Sequence, residues 1–399
     1  MAGLTFFKKE KSTGINDSSR SYNSQVRRHR FLVFGRIVSI VAIIIIAIVA
    51  FYISYENKQY TDYEILTEEE RSDSEASVYI PYNGNIIKYS KDGAEAFQGN
   101  NTAIWNETFE MQNPLVATCE NYAAMGDFKG NKIYTINSDG NSGEIDTKLP
   151  VSSFCVSRQG VVAAVLEDDN ETKINIYSSA GELLASIKCT MTQSGYPIDV
   201  SLSEDGQKLG VSYMRIEEGK LKSSVAFYNF GEVGQNETDN YVSGYDYVDA
   251  VVPKVKFINN STAFGLGDNR FVVYKGSQKP VSLAETFLND EVQSVYYGKN
   301  KVGLVFRNAD AENRYRLDIY NDNGELENNL PFDVDYTDII FNDDMIIIYN
   351  ERECKIYRSN GVLKYTGYFK DPVLLMVPTE SKTKFTLVNR DGVQTVRLK

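Results

Sequence analysis

Residues 174–187 read INIYSSAGELLASI. Two apolar runs that alternate with polar residues flank a Ser-Ser-Ala-Gly turn, which is the signature of a strand, a tight reversal and a second strand. The glycine frees the backbone for a tight hairpin, and Ser, Asn or Asp before it stabilises the turn through its own backbone. The same unit recurs along the chain. It reads IIKYSKDG at 86–93, IYTINSDG at 133–140, VAFYNFG ending at Gly231, FVVYKG at Gly276, LDIYNDNG at Gly324, KIYRSNG at Gly361 and FTLVNRDG at Gly392. The intervals between these glycines are 47, 41, 50, 45, 48, 37 and 31 residues. From residue 77 onward there is almost no helical periodicity.

A period of 40–50 residues built from strands alone marks the blades of a β-propeller. Each unit fills in as four strands: 154–157, 161–166, 173–177 and 183–187 in one, and 338–341, 345–349, 355–357 and 362–368 in another. The repeated glycine is placed between the third and fourth strands. One such sheet cannot hide both of its faces, so neighbouring sheets must stack and the ring must close. Only three strands remain at the C-terminus (373–377, 384–388, 393–398), so a strand from the N-terminal side, at 77–81 or 63–66, completes the last sheet. The expectation is an all-β, seven- or eight-bladed propeller. Eight turn motifs favour eight, and the short final interval keeps seven open. A double β-sandwich is the rival, but it needs no such regular period.

Outward from the repeats, residues 37–55 read IVSIVAIIIIAIVAFYISY, an uncharged run of the length needed to cross a bilayer. Arg27, Arg28, Arg30 and Arg36 precede it and Glu56 follows it, which places the N-terminus in the cytoplasm and the propeller outside, on the cell membrane. Tyr52 and Tyr55 fall where interfacial aromatics are expected. A cleaved signal peptide is the competing reading, but its apolar core is shorter and its basic region briefer. The resulting division is a basic disordered tail over 1–36, a transmembrane helix over 37–55, an acidic stalk over 56–76 and a propeller over 77–399. The tail carries a net charge of +6 and the part beyond the helix −18. That acidity argues against nucleic acid as a partner.

The chemistry is bounded by what is missing. His29, the one histidine, lies on the cytoplasmic side, so the propeller builds neither a Ser-His-Asp site nor an imidazole zinc site. No phosphate-cradling glycine motif occurs. No catalytic residue, metal ligand or cofactor is assigned. Cys119, Cys155, Cys189 and Cys354 lack metal-ligand spacing; Cys119 and Cys155 fall near the innermost strands of adjacent blades, where a disulfide is one outcome and buried thiols the other. Asp168-Asp169, Asp333-Val334-Asp335 and Asp343-Asp344 read as solvated turns rather than calcium loops. Aromatic residues cluster in segments read as links from an outer strand to the next inner strand: 98–113, 189–197, 231–250, 331–337 and 368–372. The candidate ligand-binding set drawn from them is Trp105, Phe109, Tyr196, Tyr241, Tyr245, Asp246, Tyr247 and Tyr336. The competing reading is that these rings fill gaps between blades.

The RRHR flank, the apolar run, the acidic segment and repeats such as INIYSSAGELLASI and CKIYRSNGVLKYTG resemble an uncharacterised family of membrane-anchored extracytoplasmic propellers from anaerobic Gram-positive bacteria. The resemblance implies the architecture and supplies no activity or catalytic residue. The blades are also similar to those of outer-membrane assembly and quinoprotein-like propellers. The function expected is a binding or scaffold module for an envelope protein, peptide or glycan; the alternative is a carbohydrate-active hydrolase or lyase with an Asp/Glu pair, which needs no histidine.

Overall fold

The computed structural model describes residues 16–56, 58–71, 76–167, 171–192, 194–309 and 312–399. Residues 1–15 of the expected tail, 72–75 of the expected stalk, Asp168-Asp169 and the side chains of Tyr52 and Tyr55 lie outside them.

The chain divides into two units, 1–58 and 59–399. The first contains one helix, Asn16–Glu56. Its Val26–Phe51 portion is long and apolar enough to cross a membrane, and none of it is buried within the chain. At 1.5 Å per residue it spans about 39 Å. Unburied branched apolar side chains on every face of a helix call for hydrocarbon rather than water, so this helix is a candidate membrane anchor or signal sequence. Helix begins at Asn16, inside the segment read as disordered. Adding a turn to a nucleated helix costs far less than starting one, so the apolar core extends helix into the polar sequence before it.

The second unit is a ring of eight four-stranded antiparallel sheets. Blades 1 to 7 are consecutive in sequence: 78–108, 114–146, 151–189, 196–247, 254–287, 292–332 and 338–368. In each, chain order runs from the innermost strand to the outermost. Blade 8 takes its three inner strands from Val373–Pro378, Lys384–Asn389 and Gly392–Leu398. Its outermost strand is Tyr63–Glu70, paired antiparallel with Gly392–Leu398 from Tyr63↔Leu398 to Glu70↔Gly392. Most of the stalk read over 56–76 is therefore propeller. YEILTEEE has only one face to bury, through Tyr63 and Ile65, and an outermost strand tolerates a run of glutamates on its open side.

Eight buried apolar clusters hold the ring, one at each joint between neighbouring blades. The last joins Ile86 and Phe97 of blade 1 to Leu375, Val377, Val388 and Val393 of blade 8. The core thus lies between sheets rather than inside any one of them, which is why a lone blade has no independent stability.

The repeated glycines serve two different hairpins. Gly140, Gly181, Gly231, Gly276, Gly324 and Gly361 fall between third and fourth strands, as expected, but Gly93 and Gly392 open third strands. The shift of Gly392 to the start of a third strand accounts for the short last interval. Gly181 and Gly324 have the positive φ the hairpin needs, whereas Gly231 has φ −79° and heads a different kind of connection. A β-bulge near the end of the third strand recurs in blades 1 and 3 to 7, adding local twist where blades diverge outward.

Candidate functional site

The turn between third and fourth strands does a second job at most joints: it grips the outer part of the preceding blade. In blade 3, the carbonyl of Ser179 accepts a 2.8 Å hydrogen bond from Thr135 Oγ1 of blade 2. In blade 5, Gln278 O and Pro280 O accept from Asn229 Nδ2 (2.8 Å) and Ser243 Oγ (2.6 Å) of blade 4. In blade 6, Asp322 Oδ2 lies 2.9 Å from Lys275 Nζ of blade 5. In blade 7, Ser359 O accepts a 2.7 Å bond from Asn328 Nδ2 of blade 6. Blade 8 has no such turn, because its outer strand comes from elsewhere in the chain. There Tyr60 takes over: its N–H donates to Lys364 O of blade 7 at 2.7 Å just before the chain enters the closing strand.

Blade 4 breaks the series. Its third and fourth strands are connected by residues 230–240, a one-turn helix (Glu232–Gln235) and a 3₁₀ turn (Thr238–Asn240). This connection folds back on its own blade: Phe230 N donates to Gln207 O, Gly231 N to Asn229 Oδ1, and a side chain at Gly234 would strike the Asn229 carbonyl. No hydrogen bond among the described residues ties 231–240 to blade 3. Leu183 and Leu184 on the outer strand of blade 3 are 57% and 55% exposed, much as Val281, Leu283 and Leu326 are on the outer strands of blades 5 and 6.

On the blade 3 side of blade 4 lies a cleft of about 840 Å³, lined by blade 4 and by the link 190–195. Its floor is a sheet face, set by the register Tyr213↔Ser224↔Asp246 and Ala226↔Gly244, with the buried phenols of Tyr213 and Tyr228 2.9 Å apart at its deep end. Burial pushes the Tyr228 hydroxyl up to about 12 and Tyr213 higher, so both are neutral donors. One wall is the link after blade 3, with Met191, Thr192 and Ser194; the other is Tyr241 and Asp246 on the outer strand Tyr241–Tyr247.

The upper rim is a hairpin longer than its counterparts. Lys208–Glu217 and Lys220–Asn229 have ten residues each, where the other blades have five to seven in these positions. Glu218 and Gly219, both with positive φ, make the two-residue turn. The innermost strand pairs only as far as Met214 and the outermost only as far as Ser223, so 215–222 stands clear as a two-stranded ribbon with Ile216 68% exposed. Arg215 lies 3.1 Å from Asp246 and 3.5 Å from Glu217, and Lys222 lies 2.9 Å from Glu217. The hydrogen bond from Lys222 holds the Glu217 carboxyl below its usual range.

The eight sequence-derived candidates divide sharply. Tyr241 and Asp246 are brought together on the cleft wall, whereas the Tyr245 ring turns to the joint with blade 5, packed on Tyr274 with its hydroxyl accepting from Ser282 N. All three belong to an outer strand, not to a link, since 231–250 contains a connection, a strand and then a link. Trp105 also sits on an outer strand and is 7% exposed, edge-on to Tyr82. Phe109 is buried and stacked on Tyr134, and Tyr247 is buried with its hydroxyl on Tyr274. Tyr336 is half-buried among Phe332, Tyr296 and Tyr315 and bonded to Ser294. Tyr196 opens the innermost strand of blade 4, near Ser152 and Glu167. For these five the gap-filling reading describes their surroundings. The residues that sequence reasoning missed are Met191, Arg215, Ile216, Glu217 and Glu218; a Glu-Gly turn in RIEEGKLK was the one available signal.

The remaining candidate chemistry is structural. All four cysteines are free thiols, and burial pushes Cys155 up to about 12. Asp333 and Asp335 pair with Lys355 and Arg314, and Asp344 pairs with Lys382. The carboxyls raised by burial, Asp199, Glu204, Asp318 and Asp338, do not line the cleft.

Solved structures share the architecture. The ring aligns with a eukaryotic initiation factor (TM-score 0.51, 12% identity, 83% of this chain and 84% of that one). It also aligns with Sqt1 from Saccharomyces cerevisiae (0.50, 10%, 86% and 99%) and BamB from Moraxella catarrhalis (0.48, 10%, 85% and 100%). At such identities the likeness shows the fold alone. No curated protein sequence matches the chain. A family match covers residues 56–398 and so takes in the closing strand together with every blade: the chain belongs to DUF5711, a family of unknown function.

Proposed function

We propose that the propeller is a binding module held at the outer face of the cytoplasmic membrane by its N-terminal helix, and that its partner in the cell envelope docks in the cleft on the blade 3 side of blade 4. The observation that carries this reading is the interrupted series of gripping turns. Every blade needs its neighbours, yet at one joint the turn is diverted and a lengthened hairpin is raised beside the opening. A cleft of this volume with a few fixed polar groups is the ordinary form of a ligand site. The arginine-rich flank before the apolar helix supports the orientation.

The hydrolase or lyase alternative gains no support from the cleft. A general acid needs a carboxyl held above its ordinary range, whereas Glu217 is held below it by Lys222 and Asp246 is ion-paired to Arg215.

Photo-crosslinking residues at Met191 and Ile216, with a control at the exposed Phe287 of blade 5, test the proposal in intact cells. Both cleft positions are expected to capture the same envelope component and the control none. Identical products at all three positions, or none, would remove the cleft from consideration. Protease shaving of whole cells checks the location: digestion of the propeller is expected, and protection beside a digested surface marker would reverse the topology.

A further inference from the structure

The charges around the cleft are already spent on one another. Arg215 lies against Asp246 and Glu217, and Glu217 is held a second time by Lys222. A basic ligand would find only Glu218 without an ion pair among the described lining residues, and an acidic one would meet three carboxylates around a single, occupied guanidinium. What the lining offers instead is a set of neutral or ion-paired donors and acceptors with one unpaired carboxylate, Glu218. Thr192, Glu218 and the Tyr241 hydroxyl have no protein hydrogen-bond partner among the described residues.

An aromatic plate completes the set. Tyr241 is 45% exposed, its ring held edge-on to Tyr228 at 5.9 Å. Gly244 lies directly beneath its hydroxyl; a Cβ there would collide with the phenol. Gly244 does not have a left-handed backbone, so close approach of the ring, not conformation, is what glycine supplies at this position. The plate lies along a floor that is a sheet face. An extended polypeptide binds most readily by adding to a strand edge; the open edges here belong to the 215–222 ribbon at the rim, whereas the floor beside Tyr241 is a sheet face that presents side-chain hydroxyls and carboxylates.

We infer that the cleft on the blade 3 side of blade 4 takes a neutral oligosaccharide, one sugar face against Tyr241 and its hydroxyls shared among Arg215, Glu218, Asp246 and Thr192. Apolar sugar faces pack on aromatic rings while their hydroxyls need many donors and acceptors, and this lining has both. The inference rests on the cleft being the binding site and adds the class of ligand.

The test uses the full-length protein in nanodiscs against an array of neutral hexose and N-acetylhexosamine oligosaccharides, with pentalysine and pentaglutamate as charged peptide probes. Saturable binding of a neutral oligosaccharide is expected. It should weaken about tenfold in Tyr241→Ala, the scale of one lost stacking contact, and persist in Tyr241→Phe, with both variants melting as the wild type does. No saturable neutral sugar, or undiminished binding in Tyr241→Ala, overturns the inference. Pentalysine binding that depends on Tyr241 overturns it in favour of a basic peptide while leaving the cleft as the docking site. Silence of every probe together with absent crosslinks at Met191 and Ile216 removes both readings.

Discussion

Among the described residues, three joints lack a gripping turn held by a hydrogen bond or ion pair, those between blades 1 and 2, 3 and 4, and 7 and 8, and the chain treats the last two in opposite ways. Between blades 7 and 8, the missing turn is replaced by the segment before the closing strand: Tyr60 bonds to Lys364, and Tyr63 enters the buried cluster of Tyr349, Ile356, Tyr365 and Phe385. Between blades 3 and 4 nothing replaces it, and the connection 230–240 is tied to its own blade. Both pairs of blades are joined by a short link, 190–195 for blades 3 and 4 and 369–372 for blades 7 and 8, and the difference lies in where the outer strand of the following blade comes from. Blades 3 and 4 are consecutive and joined by 190–195, and their inner cluster, from Ala163 to Tyr213, is intact. Blade 8 would have only three strands without a segment some 300 residues away in sequence. The outer seam is open beside a blade whose four strands are consecutive, and it is closed beside the blade that borrows its outer strand from the N-terminal side.

The largest effect follows from removing the clasp. Deleting 59–71 from the full-length protein strips the outer strand of blade 8, exposes Val396 and Leu398, and leaves Gly392–Leu398 as an open edge. Losing the buried Tyr63 ring alone costs about 3–5 kcal/mol, a large part of the about 5–15 kcal/mol a folded domain has in total. A collapsed melting transition and concentration-dependent association are expected, measured by circular dichroism and size exclusion. A deletion variant that melts like the wild type would show that the clasp is dispensable.

That strand was legible only as one of two alternatives, 63–66 or 77–81, for completing the three-stranded C-terminal sheet, and the same residues were also read as stalk. The blades declared themselves because an interior strand such as VAAVLE or MIIIY is bounded by turn residues and followed by a partner of matching length. YEILTEEE carries a two-residue apolar signal and four glutamates, since three of its four borders face solvent or backbone. Length and composition alone could not separate it from a tether. The cleft was half legible for a related reason. The alternation in YVSGYDY marks a strand, yet the long unpunctuated sequence around it hid where the connection ended and the strand began. The floor was not legible at all: Tyr213 and Tyr228 meet only because their strands pair.

A middle-sized effect comes from converting the open joint into an ordinary one. Replacing 230–240 with a short turn copied from Asn321–Gly324 of blade 6 should let blade 4 grip the outer strand of blade 3. One or two new hydrogen bonds at about 1 kcal/mol each, and a shorter loop, raise the melting temperature by about 2–5 °C. Capture of the envelope partner at Met191 and Ile216 should disappear. Higher stability with retained capture would break the link between the diverted turn and the site.

The smallest effect separates inner latches from outer grips on the same blade. Asp199, on the innermost strand of blade 4, accepts a 2.8 Å hydrogen bond from Val255 N and lies 3.6 Å from Lys254 Nζ of blade 5. Burial nevertheless raises its carboxyl above the ordinary 3.8, against the lowering pull of that backbone N–H and of Lys254 and Lys256. A carboxyl whose folded value is raised favours the protonated form in the native state, so its charge weighs against folding above that value and the penalty fades as pH falls toward 3.8. Asp199→Asn keeps the acceptor for Val255 and removes the charge. Its melting temperature should exceed that of the wild type by about 1–2 °C at pH 7, with the gain vanishing on acidification below 3.8. Partner capture at the cleft should be unchanged, because this latch joins blade 4 to blade 5 and leaves the seam with blade 3 untouched. A loss of stability at neutral pH would mean that the pull of the neighbouring lysines outweighs burial, and that the inner seam is held by charge as the outer seams are held by turns.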